Sequence, residues 1–270
     1  MSAAQRAPGV RAPVAWAPPP GRPVLGACDI HCWRVSIAAC AAALPSWRAH
    51  LPAAEERRRA AFHFERDRDR FVVTHALQRS VLARYAACAP SALAFTIGAH
   101  GKPALTAPAA SGLHFNVTHS GDLVLLAVAR DREVGIDAEQ WAADLDAEAL
   151  TELAVTAFSG AERAVLAAAP PSDRQRTFFA IWSRKEAYIK ATGDGLSAGL
   201  DHFDVSATAD DARLLVDRRA RGATAAWDMV VLDVGAGYAG ALVWARTEAC
   251  PAPIVSAWQA GPAHLPVSAA

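Results

Sequence analysis

The sequence predicts an α+β fold in which small antiparallel sheets pack against helices. Strand-like and helical segments follow one another in blocks along the 270 residues: one strand, helices, three strands, helices and a last group of strands. Hydrophobic residues make up 53% of the chain, which is enough to bury a core in one large domain or two small ones.

The overall charge and the cysteines exclude several classes of protein. The formal net charge is +0, so nothing global favours nucleic acid or an acidic membrane as a partner. No apolar run is long enough to span a bilayer, and prolines stand where a signal peptide would be apolar, which favours the cytoplasm. The five cysteines fit no metal-ligand spacing and are predicted to be free thiols: Cys28, Cys32, Cys40, Cys88 and Cys250.

The first half of the chain is predicted to contain a strand, two helices and an irregular stretch. Residues 1–27 are rich in proline, alanine and glycine and are predicted to be a disordered lead-in. Residues 29–37 alternate as in a strand, and 53–85 carry the apolar stripe of helices. Glycines and prolines interrupt residues 90–111.

Lysine is scarce in this chain, which gives weight to the positions where it occurs. Lysine and arginine together number 27, yet lysine stands only at 102, 185 and 190. Lys102 lies between Gly101 and Pro103, which predicts a rigid loop that presents its ammonium group. A loop lysine is normally only solvated, but its scarcity here favours contact with a phosphate.

Three further strands are predicted in the middle of the chain. Residues 114–117 form a short strand, 118–121 a polar turn, and 123–129 an apolar run typical of a buried central strand. Residues 134–139 form the next strand, which is expected to lie antiparallel to the apolar one.

Two carboxylates share one face of the strand 134–139. Successive strand side chains point to opposite faces, so Asp137 and Glu139 lie together on the face away from the core. Two carboxylates at this spacing suit a hard cation such as Mg²⁺. The alternative is a solvent-facing acidic strand end, and the pair by itself favours that alternative.

The second half is predicted to hold three helices, a second sheet and a loose tail. Helices span 146–158 and 172–192, and a capping signal at 159–162 starts a short helix between them. The tail, 248–270, is rich in proline and is predicted to be loosely ordered. Four strands would form the second antiparallel sheet: 202–205, 213–216, 227–234 and 240–245.

The long helix 172–192 carries a second set of candidate residues. Trp182, Glu186 and Lys190 stand at i, i+4 and i+8, so they line one edge of the helix. A weak surface ion pair between Glu186 and Lys190 is the alternative. Three carboxylates and a nearby ammonium group together favour a metal-dependent site for a phosphorylated ligand.

Four ordered motifs identify the family that this chain resembles. They are Gly101-Lys102-Pro103, Phe115-Asn116-Val117-Thr118-His119-Ser120-Gly121, Gly135-Ile136-Asp137-Ala138-Glu139 and Trp182-Ser183-Arg184-Lys185-Glu186-Ala187-Tyr188-Ile189-Lys190. In this set and order the chain resembles the 4′-phosphopantetheinyl transferases of the long, pseudo-dimeric Sfp type, over about residues 28–246.

The resemblance implies a fold and a reaction. The fold would be two similar α/β subdomains related by pseudo-two-fold symmetry, residues 28–140 and 141–247, each with a small antiparallel sheet and helices. Coenzyme A and Mg²⁺, or Mn²⁺, would lie in the cleft between them. The serine of an apo acyl or peptidyl carrier protein would attack the β-phosphate, and adenosine 3′,5′-bisphosphate would leave. A monomer is implied, since one chain supplies both sides of the cleft.

The resemblance also assigns roles to individual residues. The metal ligands would be Asp137, Glu139 and Glu186. Coenzyme A would be held by Arg58, Arg70, Lys102, Thr118, His119 and Lys190. The catalytic groups would be Glu186, as the base toward the carrier serine, together with Lys190 and His119. Lys185 is typical of the family, but the motif assigns it no role.

Two other functions fit the same residues. A Mg²⁺-dependent phosphohydrolase of nucleotide diphosphates would use the same three carboxylates and release its product to water. A non-catalytic module that binds coenzyme A or a carrier protein is the second alternative, although the intact set of carboxylates argues against it. The motifs do not identify the carrier protein.

Overall fold

The computed structural model describes residues 14–21, 23–108, 112–142, 145–195, 199–208 and 211–265. The elements of the first half are β1 (Asp29–Ser36), α1 (Leu44–Ala49), α2 (Ala53–Ala60), α3 (Glu65–Ala86), β2 (Ala94–Ile97), β3 (Pro103–Ala107), β4 (Leu113–Ser120) and β5 (Leu123–Arg130). The elements of the second half are β6 (Val134–Gln140), α4 (Ala147–Ala157), α5 (Gly160–Ala168), α6 (Arg174–Thr192), β7 (Phe203–Val205), β8 (Leu214–Asp217), α7 (Ala223–Ala226), β9 (Trp227–Val231), β10 (Tyr238–Ala245) and β11 (Ile254–Gln259).

The two halves repeat one topology. In the first, the strand order is β1-β5-β4, and in the second it is β6-β10-β9, with antiparallel pairing throughout. In each half a long helix, α3 or α6, is followed by a two-stranded hairpin, β2-β3 or β7-β8. This repetition confirms the predicted α+β fold with two similar subdomains.

Local sequence signals set several helix boundaries. Asp146 caps α4 by accepting hydrogen bonds from two backbone N–H groups, and Ser159 with Glu162 forms a capping box on α5. Gly193, at φ +76°, ends α6. The long helix predicted over 172–192 begins slightly later, at Arg174, with Asp173 at its N-cap position.

Three hydrophobic clusters form the core, and one of them joins the two halves. One lies between α3 and the first sheet, one between α6 and the second sheet, and one between the two sheets. β5 contributes Leu126 to the first cluster and Leu125 to the one between the sheets. Both faces of β5 are therefore buried, which explains its continuous apolar run.

The strand pairing differs from the prediction. β6 pairs with β10 rather than with β5, so the second sheet begins at Val134 and not after residue 140. β9 and β10 join β6, whereas β7 and β8 form a separate hairpin, so the predicted four-stranded second sheet is wrong. A short turn predicts that two strands are antiparallel, but it does not decide whether they belong to one sheet.

Two loops of the first half contain more strand than predicted. The stretch 90–111 holds the β2-β3 hairpin, in which Gly101 takes φ +88° at the turn. β4 continues through Ser120, so the predicted polar turn at 118–121 is wrong up to that residue. The alternation of polar and apolar side chains in β4 reflects a strand that faces a cavity.

The chain ends are more ordered than predicted. β11 in the tail pairs in parallel with β1, and Val14 and Ala17 of the lead-in form bridges with Leu232 and Trp258. Residues 1–13, 22 and 266–270 lie outside the described residues. Cys28 and Cys250 form a disulfide, so the prediction of free thiols is wrong for this pair. Among the described helices, none combines the length and apolarity needed to cross a membrane.

We predict that Glu55 makes the stability of the α2–α3 wall pH-dependent. Burial opposes ionisation of Glu55, but the His75 imidazole at 3.0 Å and the hydrogen bonds donated by Arg79 outweigh it and lower the pKa of Glu55 to about 2. Because the pKa of Glu55 is lower in the folded protein than in the unfolded chain, its ionised carboxylate stabilises the fold at pH values above the unfolded pKa. This contribution is lost as the pH falls through about 2. Glu55→Gln should reduce the free energy of unfolding at pH 7 by about 3 kcal/mol.

Chemical denaturation between pH 7 and pH 2 measures this effect. Glu65→Gln is the matched control, because Glu65 is 68% exposed in its pair with Arg68 and should contribute no more than about 0.5 kcal/mol. Equal losses for the two variants at pH 7 would contradict the prediction.

Candidate functional site

A cavity of about 680 Å³ opens between the two halves. α2, α3 and β4 line it from the first half, and β6 and α6 line it from the second. A second cavity of about 480 Å³ shares Gly101, Pro103, Val117 and Lys190 with the first, so the two form one cleft. The first cavity receives Arg58, Arg70, Thr118, His119, Asp137, Glu139 and Lys190, and the second receives Lys102 and Glu186.

Side chains of β4 attach the two halves along the floor of this cleft. Asn116 accepts a hydrogen bond from the backbone N–H of Ile136 at 2.8 Å, and Thr118 donates to Asp137 at 3.0 Å. Ser120 donates to Glu139 at 3.0 Å and accepts from the backbone N–H of Gln140. We call Asn116, Thr118 and Ser120 the cross-sheet row, because these alternate residues connect β4 to β6 of the other sheet.

Asp137 and Lys190 form the ion pair at the centre of the cleft. The Asp137 carboxylate is 1% exposed, and its Oδ1 accepts from Lys190 Nζ at 2.5 Å and from Thr118. Its Oδ2 is buried without a hydrogen-bond partner. Burial opposes the charge on Lys190, but Asp137 outweighs burial and raises the pKa of the lysine. Lys190 is therefore a cation throughout the physiological pH range.

Two more carboxylates share this centre with a single ammonium group. Glu139 accepts from Ser120 and from the indole N–H of Trp182, yet burial, with a further effect of Asp137, raises its pKa to about 7. Burial also raises the pKa of Glu186. The centre therefore carries excess negative potential that Lys190 alone does not neutralise.

This donor set fits a hard divalent cation. It offers carboxylate oxygens, an unpartnered buried oxygen on Asp137 and an excess of negative charge. Across the described ranges, however, no three His, Cys, Asp or Glu side chains already stand in metal-ligand geometry. Side-chain rearrangement around Asp137, where Lys190 now binds, would therefore accompany metal binding.

Arginine, histidine and aromatic side chains line the larger cavity together with the carboxylate centre. Arg58 lies over the ring of Phe71 at 5.5 Å, and Arg70 pairs with Asp67 at 3.3 Å while its buried Nε has no partner. The side chain of His119 is exposed to the cleft. Partial burial of its imidazole, together with the nearby positive charge of Arg70, lowers its pKa. Donors able to bind an anion thus line the same cavity as the carboxylate centre.

Lys102 lies at the edge of the cleft and is already engaged. Its Nζ donates to Glu133 at 2.6 Å and to the backbone carbonyl of Ala191 at 2.9 Å. It therefore connects the β2-β3 turn to the start of β6 and the end of α6. The sequence did not reveal this role of Glu133, because Glu133 lies in a turn and belongs to none of the four motifs.

The close contact of β6 with α6 brings Asp137 next to Glu186 and Lys190. A Cβ atom on Gly135 would stand 2.1 Å from the carbonyl oxygen of Ala187 and 2.4 Å from the backbone nitrogen of Ala191. Only glycine permits this approach of strand to helix.

Sequence reasoning missed two members of the cross-sheet row. Asn116 and Ser120 belong to the motif that begins at Phe115, but that motif indicates no structural role for either residue. Extending the predicted strand to residue 120 would have placed both on the same face as Thr118, at a spacing of two.

Family models match both halves of the chain. The model described as the 4′-phosphopantetheinyl transferase superfamily matches residues 133–243. The model described as the N-terminal part of 4′-phosphopantetheinyl transferase matches residues 33–131.

Curated relatives agree with these matches. The 4′-phosphopantetheinyl transferase HetI of a Nostoc species is 36% identical over 72% of this chain and 80% of its own length. The 4′-phosphopantetheinyl transferase Sfp of Bacillus subtilis is 34% identical over 57% of this chain and 65% of its own. A phosphopantetheinyl transferase of a Thraustochytrium species is 31% identical over 60% of each chain.

We predict that Gly135→Ala destabilises the protein by about 3 kcal/mol, because the new methyl group would overlap backbone atoms that cannot move independently. Gly160→Ala is the control. A Cβ there meets nothing closer than 4.0 Å, and alanine in a helix is favourable, so a gain of up to about 1 kcal/mol is expected. Chemical denaturation measures both, and a Gly135→Ala variant as stable as the parent would refute the close contact.

Proposed function

Because the chain belongs to the 4′-phosphopantetheinyl transferase superfamily, we propose that it transfers 4′-phosphopantetheine from coenzyme A to a serine of an apo carrier protein. The cleft between the halves carries this assignment. The cleft is lined by carboxylates around Lys190 and also by Arg58, Arg70 and Lys102, so it suits a ligand with more than one phosphate group and a metal ion. Family membership favours this transfer over hydrolysis to water or simple binding.

The proposed reaction is an attack on the β-phosphorus of coenzyme A. The serine oxygen forms the new P–O bond, and the bond from that phosphorus to the oxygen shared with adenosine 3′,5′-bisphosphate breaks. Glu186 accepts the serine proton, directly or through water. Its pKa, raised by burial, makes it a better base near neutral pH than an exposed carboxylate.

Lys190, Thr118 and His119 would bind the diphosphate. Lys190 supplies positive charge to the phosphate oxygens as the leaving group departs, which is when negative charge develops there. Thr118 and His119 stand on the same wall and would donate hydrogen bonds to those oxygens. These roles require Lys190 to exchange part of its contact with Asp137 for the ligand, and they require Thr118 to turn its single hydroxyl hydrogen from Asp137 to the ligand.

Asp137, Glu139 and Glu186 are the proposed holders of Mg²⁺, with Mn²⁺ as a substitute. When bound, the ion would neutralise the diphosphate and polarise the phosphoryl group. The charge imbalance among these carboxylates and the unpartnered Asp137 oxygen support the assignment.

Arg58 and Arg70 are the proposed ligands of the 3′-phosphate, with Lys102 at the edge of the cleft. Arg70 has an unpartnered buried Nε, whereas Lys102 would have to leave or share Glu133. The structure therefore gives Arg70 the larger expected share of the binding energy.

The proposed partner is an apo acyl or peptidyl carrier protein, without a choice of pathway. A monomer is proposed because both walls of the cleft come from one chain. The proposed cytoplasmic location rests on the sequence alone.

We predict that an apo carrier protein gains the mass of one phosphopantetheine group when incubated with this protein, coenzyme A and Mg²⁺. Glu186→Gln should lower the rate at least about 100-fold, because it removes both a metal ligand and the base. Intact-mass spectrometry of the carrier measures the transfer, and chelation of the metal should abolish it.

Two outcomes would separate the candidate functions, and a third would test the role of Glu186. Cleavage of coenzyme A without a carrier would identify a phosphohydrolase. Binding of coenzyme A without transfer to fatty-acid, polyketide or peptide carriers would identify a binding module. Transfer that continues at full rate in Glu186→Gln would remove Glu186 from the mechanism while leaving the reaction intact.

We predict that Arg70→Gln raises the KM for coenzyme A about 10-fold, because it removes a charged hydrogen bond to the 3′-phosphate. With 3′-dephospho-coenzyme A as substrate, the parent and the variant should have the same KM. Arg66→Gln is the control, since Arg66 lies over Phe64 and outside the cavity lining. An equal effect of Arg70→Gln on both substrates would place Arg70 elsewhere in the site.

A further inference from the structure

Lys185 is adjacent to Glu186 in α6, yet it faces away from the cleft. Its side chain is 0% exposed. Nζ donates to Glu162 at 2.7 Å and to the backbone carbonyls of Leu200 at 2.7 Å and Phe203 at 2.5 Å, and it also lies over the Phe203 ring. An ammonium group has three N–H donors, and all three are used here, so none remains for a phosphate.

Glu162 extends this contact to the start of its own helix, α5, and to β7. Its Oε2 accepts from the backbone N–H of Ser159 at 3.0 Å, which completes the capping box of α5, and its Oε1 accepts from the N–H of Val205 in β7 at 2.8 Å. Glu162 is 3% exposed. The pair Lys185–Glu162 therefore attaches one side of α6 to α5, to β7 and to the turn before β7.

Helix geometry connects this attachment to the cleft. Successive residues of an α-helix are about 100° apart, so fixing Lys185 on one side fixes the direction of Glu186 and of Lys190 on the other. A side-chain tip lies roughly 6 Å from the helix axis, so a rotation of roughly 10° moves it by about 1 Å. A displacement of that size can lower a reaction rate about 100-fold.

We propose that Lys185 is a positioning residue, which with Glu162 sets the rotation of α6 and thereby places Glu186 and Lys190 in the cleft. This inference rests on the proposed transferase function. In this proposal Lys185, the residue before Glu186, does not bind a phosphate. Glu162 affects the reaction rate although it lies outside the cleft.

Three variants test the proposal: Lys185→Met, Glu162→Gln and the double variant. Each should lower kcat about 10- to 100-fold, because Glu186 and Lys190 are displaced and Lys190 acts mainly as negative charge develops on the leaving group. The KM for coenzyme A should change by less than about 3-fold, because the proposed 3′-phosphate ligands Arg58 and Arg70 are unchanged. Removing one charge of a buried pair destabilises more than removing both, so the double variant should regain thermal stability relative to Lys185→Met. Its kcat should remain low.

A second readout does not depend on turnover. Binding of Mn²⁺ in the presence of coenzyme A, followed by electron paramagnetic resonance, should be about 10-fold weaker in the double variant. Leu166→Ala is the matched control. Leu166 is a buried residue of the same short helix, α5, and its loss should lower the melting temperature while kcat and Mn²⁺ binding stay at parent values.

The outcomes distinguish failure of this inference from failure of the function. No transfer by the parent protein to any carrier would remove the proposed function. An active parent with parent-like kcat and Mn²⁺ binding in a folded double variant would show that the pair only stabilises the fold. A rise in KM with kcat unchanged would show that Lys185 contacts the ligand. Where Lys185→Met does not fold, the double variant and Glu162→Gln carry the test.

Discussion

The cleft depends on a row of side chains that connects two sheets which share no backbone hydrogen bonds. β4 ends one sheet and β6 begins the other, and the cross-sheet row joins them through two backbone N–H groups and two carboxylates. The same alternation that places polar side chains of β4 toward β6 places apolar side chains toward the helix behind it. Two of the four hydrogen bonds end on Asp137 and Glu139, so the contacts that attach the halves also orient these carboxylates.

That arrangement concentrates negative charge where the protein supplies one compensating ammonium group. The raised pKa of Glu139 and the unpartnered oxygen of Asp137 have the same origin, namely carboxylates held together away from water. Holding these carboxylates close together costs free energy in the protein without ligands. A bound cation and a phosphorylated ligand would offset that cost. α6 completes the centre, and its opposite side is anchored by the buried pair Lys185–Glu162.

Much of this could be predicted from the sequence, because the relevant signals are local. The capping box at Ser159 follows from fixed capping positions, and the face shared by Asp137 and Glu139 follows from the strand period of two. The burial of β5 follows from its continuous apolar run. Sheet membership was not predictable in this way, since β6 is near β5 in sequence but pairs with β10. β11 was missed because its flanking prolines suggest a loose tail. The engagement of Lys102 by Glu133 depends on tertiary contact alone.

The chain ends also decide where the first sheet stops. β1 would otherwise be an open edge, with a row of unpaired backbone groups able to pair with another molecule. β11 covers that edge, and the bridge from Ala17 to Trp258 covers β11 in turn. The next three residues are Pro18, Pro19 and Pro20, which have no N–H to offer a further strand. Residues 17–20 and β11 therefore leave β1 without an open edge at which a strand of another molecule could pair.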